Sequence, residues 1–88
     1  MASYRIRIKH SAVKELESIG NRADRRRIVQ RIQSLADDPR PPGSQKLSGR
    51  DRYRLRQGRY RILYSILNEI LVVHVVRIAH RKDVYRRG

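Results

Sequence analysis

There is no cysteine among the 88 residues, which excludes disulfide staples and thiolate metal sites together. Tryptophan and phenylalanine are also absent, so the aromatic content rests on 5 tyrosines. No amphipathic segment therefore combines a basic face with Trp or Phe opposite, the pattern that lies on a membrane. No apolar run approaches the roughly 20 residues that cross a bilayer. Tyr4–Lys9 alternates too strictly, and is too short, for the apolar region of a secretory signal, so a cytoplasmic address and no membrane partner are expected. Acidic residues are the other shortage: 8 Asp+Glu stand against 22 Lys+Arg, a formal net charge of +14. A surplus of that size repels itself in so short a chain and calls for an anionic partner, nucleic acid or an acidic protein.

What is present reads as one small domain over residues 1–88, near the lower end of what buries a self-sufficient core. Tyr4-Arg5-Ile6-Arg7-Ile8-Lys9 alternates apolar and cationic residues, the mark of a half-buried strand. Ser11 is the expected N-cap of a first helix whose apolar face is Ala12, Leu16 and Ile19, with Val13 beside them, ended by Gly20-Asn21. A second helix is expected from about Arg22 to Ala36, with Ile28, Ile32 and Leu35 as its stripe and Asp37-Asp38-Pro39 as its stop. Arg40 to Gly49 reads as a long loop with Leu47 anchored in the core. A strand from Ile70 to about Ile78 follows a turn at Asn68-Glu69, and being apolar on both faces it belongs inside the sheet. The expected fold is α+β, βααβββ, an antiparallel sheet with a helical hairpin packed on one face.

The centre of the chain is Tyr53-Arg54-Leu55-Arg56-Gln57-Gly58-Arg59-Tyr60-Arg61-Ile62-Leu63-Tyr64. Apolar or aromatic residues alternate with arginine on either side of a glycine-containing turn, a β-hairpin pattern. With Tyr53, Leu55, Tyr60, Ile62 and Tyr64 toward the core, Arg54, Arg56 and Arg61 converge on the open face. Residues i and i+2 of a strand lie about 7 Å apart, close to the phosphate spacing of a single nucleic-acid strand. After the last strand the chain stays rich in functional groups, and Val84 and Tyr85 suggest a tail packed back near that face.

Taken in order, the opening strand, Leu35-Ala36-Asp37-Asp38-Pro39, Lys46-Leu47-Ser48-Gly49, Tyr53-Arg54-Leu55-Arg56, Gly58-Arg59-Tyr60-Arg61-Ile62-Leu63-Tyr64 and His80-Arg81-Lys82-Asp83-Val84-Tyr85 resemble the RelE branch of the RelE/ParE toxin superfamily. These are the toxins of bacterial type II toxin–antitoxin systems, and the resemblance covers nearly the whole chain. It implies a RelE-like microbial RNase-type fold and an mRNA interferase. Such an enzyme enters the ribosomal A site, cuts the mRNA there, and is held inactive by a cognate antitoxin. It needs no metal and no cofactor. The surplus positive charge suits an acidic, partly disordered antitoxin.

The implied reaction is attack of a ribose 2′-OH on the adjacent phosphate, expelling the 5′-oxygen and leaving a 2′,3′-cyclic phosphate. It requires deprotonation of the 2′-OH, stabilisation of charge on phosphorus and protonation of the leaving oxygen. Arg61 and Arg81 match the family's phosphate-binding arginines, and a planar guanidinium offers paired donors to phosphate oxygens. Arg54 and Arg56 stand where the family pattern has lysines, the second a proposed general base. Arginine does not give up its proton at any accessible pH, so Arg56 is assigned electrostatic stabilisation instead. Tyr85 matches the C-terminal tyrosine that stacks on a base or protonates the leaving oxygen. His80 is the titratable candidate to replace the missing lysine base. Arg52, Arg54, Arg59 and Lys82 complete the expected RNA-binding set.

Two other functions fit the same sequence. A ParE-like toxin would share the fold and poison DNA gyrase, but that branch usually lacks the catalytic set, which Arg61, Arg81 and Tyr85 here match. A non-catalytic basic RNA-binding module would explain the charge but not the tyrosine-bearing tail.

Overall fold

The computed structural model describes residues 3–47 and 51–80. Its elements are β1 (Arg5–Ile8), α1 (His10–Glu17), α2 (Arg22–Ser34), β2 (Ser44–Lys46), β3 (Tyr53–Gln57), β4 (Tyr60–Leu67) and β5 (Val72–His80). The strands form one sheet in the order β1-β5-β4-β3-β2. The expected βααβββ order is present, with two additions. β1 runs parallel to β5, from Arg5 opposite Val72 to Ile8 opposite Val75, so the sheet is mixed rather than wholly antiparallel. The stretch read as loop contributes a short edge strand, β2, paired with β3 through Ser44–Leu55, Gln45–Arg54 and Lys46–Tyr53.

Local chemistry sets the helix ends. α1 begins at His10 after Lys9 and has no side-chain cap, so Ser11 lies within the first turn and is not the N-cap expected. Asn21, read as the end of α1, instead caps α2, its side chain accepting from the backbone N–H of Asp24 at 3.0 Å. Asp24 in the first turn and Arg31 in the last complement the helix dipole.

The core lies between the helices and one sheet face. Ala12, Ile19, Ile28, Ile32 and Leu35 from the helical layer meet Leu55, Ile62, Tyr64, Ile66, Val73, Val75 and Ile78 from the sheet. These are the helical stripes and strand faces that the sequence periodicity gives. Tyr64 is fully buried, and its hydroxyl donates to the carbonyl of Pro39 at 2.8 Å. That bond ties the segment after α2 to the sheet, and burial of the phenol pushes its pKa up. Tyr53 stacks on Tyr64 with centroids 5.7 Å apart, and Arg40 donates to the Tyr53 hydroxyl at 3.1 Å. Leu47 departs from expectation: it is half-buried and lines a groove with Leu63 and Val76 instead of joining the core cluster.

β5 is interior for the part that β1 covers, as its apolar run requires. It starts at Val72 and not Ile70, because Ile70 and Leu71 belong to the turn and Leu71 has φ +53°. A non-glycine residue in that region costs about 1–2 kcal/mol.

Candidate functional site

The β3–β4 hairpin positions the site. Gly58 and Arg59 form its two-residue loop, and Gly58 has φ +59°. Glycine adopts that left-handed conformation without steric penalty, which fixes the register of both strands. In that register Arg56 is directly opposite Arg61, and Arg54 opposite Leu63. Across β4, Arg61 faces Ala79 of β5. Directly paired residues share a sheet face, so Arg56, Arg61 and Ala79 form one row on the face away from the helices. Arg54, Leu63 and Arg77 form the next row, since Leu63 pairs with both others.

Arg54, Arg56 and Arg61, with Gly43 and Gln45 from the edge strand and its approach, line a cleft of ≈ 460 Å³. Their surroundings differ. Arg56 is exposed and Arg54 is intermediate, while Arg61 is only 4% exposed. Gln45 accepts a hydrogen bond from Arg54 Nη2 at 2.6 Å, which orients that guanidinium. Like charges directly opposite on neighbouring strands repel, and three guanidinium groups on one cleft have the chemistry that an anion would offset. Gln45 was not visible as a site residue in the sequence because Ser44–Lys46 has no apolar alternation to mark it as a strand.

The other expected residues fall elsewhere. Arg59 is exposed in the hairpin loop, at the cleft end of the sheet. Arg52 lines a neighbouring groove with Lys9, Ser11, Leu47, Leu63, Val76 and Arg77, where the Glu15 carboxylate stands among the cations. Arg77 carries no sequence signal for this placement, since it follows the apolar run of β5 where the strand reads as ending. Arg81, Lys82 and Tyr85 lie outside the described residues.

His80, expected as a candidate base, is not brought to the arginine cleft. His80 pairs with Tyr60, and the two rings meet edge to face with centroids 5.2 Å apart. It is therefore on the helix-side face, opposite to the one bearing Arg61. The cause is a β-bulge: Leu63 pairs with Arg77 but Tyr64 with Val75, so Val76 is an extra residue. One extra residue reverses which side chains face the core for everything beyond it. An uninterrupted strand would put His80 on the same side as His74; the bulge carries it to the other.

Comparison with known proteins agrees with this architecture. A family model described as the ParE toxin of type II toxin–antitoxin systems, parDE, matches residues 6–85. A RelE-like toxin protein of Escherichia coli is 26% identical over 86 residues, covering 93% of this chain and 90% of its own. The archaeal RelE–RelB complex of Pyrococcus horikoshii OT3 superposes with TM-score 0.77 at 29% identity, covering 90% of this chain and 96% of that one. The toxin–antitoxin complex RelBE2 of Mycobacterium tuberculosis superposes with TM-score 0.79 at 26% identity, with coverage of 92% and 94%.

Proposed function

The chain belongs to the ParE toxin family of type II toxin–antitoxin systems, in its RelE branch, and we propose that it is a ribosome-dependent mRNA endonuclease held inactive by a cognate acidic antitoxin. The observation that carries the reading is the direct opposition of Arg56 and Arg61 across the hairpin, with Arg54 on the same cleft. The proposed partners are the ribosome with its mRNA, and a protein antitoxin such as the RelB chain in the Pyrococcus horikoshii complex.

In the proposed reaction the mRNA backbone lies along the cleft with its scissile phosphate on Arg61. The 2′-oxygen attacks phosphorus as the bond from phosphorus to the 5′-oxygen breaks. One product ends in a 2′,3′-cyclic phosphate and the other begins with a 5′-hydroxyl. Arg61 and Arg56 donate to the non-bridging oxygens, whose charge grows toward the transition state. Donors aimed where charge develops are most effective when oriented before reaction. Arg81, by resemblance, adds a further phosphate contact, and Tyr85 stacks on a base or protonates the 5′-oxygen. Arg56 polarises the 2′-OH without accepting its proton, which passes to a solvent water as the 2′-oxygen bonds to phosphorus. The departing 5′-oxygen takes a proton from Tyr85 or from solvent. His80 has no part in this scheme, because it is on the far face.

The test is the chemistry of the cut ends. Programmed ribosomes are incubated with the toxin and the fragments analysed by mass spectrometry. A 2′,3′-cyclic phosphate opposite a 5′-hydroxyl supports the proposal. The family model's ParE description favours a second reading, poisoning of DNA gyrase. Intact mRNA together with arrested supercoiling would establish that reading instead.

A further inference from the structure

We infer that Glu15 is a positioning residue: a carboxylate on α1 that stands in for a missing strand and holds the distal end of β5 beside Arg61. The inference rests on the interferase reading for its catalytic consequence. β1 pairs with β5 only as far as Val75, where the chain turns away and the N–H of Lys9 donates to the Val75 carbonyl at 2.8 Å. Beyond that point β5 keeps β4 on one side and, among the described residues, has no strand on the other. The Val76 bulge falls at the same place, so the ladder is interrupted where its second support ends. Residues 77–80 keep their ladder with β4, and slippage there by one residue would exchange the faces of all their side chains.

Glu15 meets this need. Its Oε1 accepts the backbone N–H of Ile78 at 2.9 Å, and its Oε2 lies 3.6 Å from Nε of Arg77. A charged acceptor makes a stronger bond to a backbone N–H than a neutral one, and two contacts on consecutive residues fix position along the strand. The next residue, Ala79, is the one directly opposite Arg61. Glu15 thus sets which residue faces Arg61, without touching RNA.

Wild type, Glu15→Ala, Glu15→Met and Glu15→Gln are compared in two measurements: hydrogen exchange at the Ile78 amide, and single-turnover mRNA cleavage on programmed ribosomes. Met keeps the side chain's length without a comparable acceptor, so it serves if the alanine variant does not fold. Gln keeps an acceptor and discards the charge. Ala and Met are expected to unprotect the Ile78 amide, leave that of Val73 protected, and slow cleavage by about 100-fold, the scale of an ångström's misplacement. Gln is expected to restore both protection and most of the rate. Equal protection in wild type and the Ala or Met variant, or equal cleavage, overturns the inference while leaving the interferase reading intact. Failure of Gln to rescue also overturns it, since the bond to Ile78 would then not be what matters. A wild-type protein that cuts nothing overturns both.

Discussion

Arg56 and Arg61 stand directly opposite each other on β3 and β4, on the sheet face away from the helices, and Arg61 is only 4% exposed. Two guanidinium groups held this way by backbone register are costly to the isolated fold and useful to a fold that binds a polyanion. Opposed like charges destabilise a strand pair by a few tenths to about 1 kcal/mol. Activity and stability should therefore respond in opposite directions at Arg56.

Arg56→Gln is expected to raise the denaturant midpoint slightly, corresponding to about 0.5 kcal/mol. The same change should lower the cleavage rate on programmed ribosomes by on the order of 10²-fold, as loss of one transition-state donor does. Denaturant unfolding and single-turnover cleavage check the two halves. A variant both less stable and fully active would contradict the role given to the opposed pair.

RNA binding should carry a salt dependence that the cleft arginines set. For single strands the slope of log K against log salt is about −0.7 per phosphate contacted, so about six contacts give a slope near −4. Removing Arg54, Arg56 or Arg61 singly should reduce its magnitude by about 0.7. Binding of an uncleavable RNA, with deoxyribose at the attacking position, measures this across a salt series. An unchanged slope in all three variants would place the RNA elsewhere.

Tyr64→Phe tests the anchor between the core and the segment after α2. The substitution leaves the Pro39 carbonyl without the donor that lies at 2.8 Å, and a buried unsatisfied acceptor costs about 1–3 kcal/mol. The phenol's pKa is raised above its ordinary value of 10.0, chiefly by burial. A group that holds its proton more tightly when folded contributes stability in full below the unfolded pKa, and that contribution is lost as pH rises through the folded value. Wild type should thus lose stability with rising pH above the ordinary tyrosine range, and Tyr64→Phe should lack that component. Thermal melts from neutral to alkaline pH compare the two.

Asn21→Ala is expected to cost about 1 kcal/mol by removing the α2 cap, with cleavage unaffected at temperatures where the protein stays folded. A denaturant curve for this variant is the check. It separates general loss of stability from loss of the site.

Much of this was legible in the sequence, for identifiable reasons. Strict alternation from Tyr53 to Tyr64, broken by Gly58, specifies a hairpin and which side each arginine takes. Ile28, Ile32 and Leu35 repeat at helical spacing, and β5 is apolar on both faces because it is flanked on both sides along its first half. Other features have no local signal. The alternation of β1 shows a strand but not its neighbour, so its parallel pairing with β5 could not be read. Gly20-Asn21 reads as a helix stop, yet α1 already ends at Glu17 with Ser18 as its C-cap, and Asn21 begins the next helix as its N-cap. The bulge at Val76 lies in an apolar run with no period to interrupt, and it alone decides that His80 faces Tyr60 and not Arg61. Glu15 and Gln45 act through contacts distant in sequence or on an unmarked edge strand.

The most direct measurement is primer extension on a defined mRNA with programmed ribosomes, comparing wild type with Arg61→Ala. Codon-positioned cuts that require ribosomes, and that fall by on the order of 10²–10³-fold in Arg61→Ala, are the expected result. Uncut mRNA from a folded wild-type protein, or equal cutting by Arg61→Ala, would contradict the assignment of this cleft to mRNA cleavage.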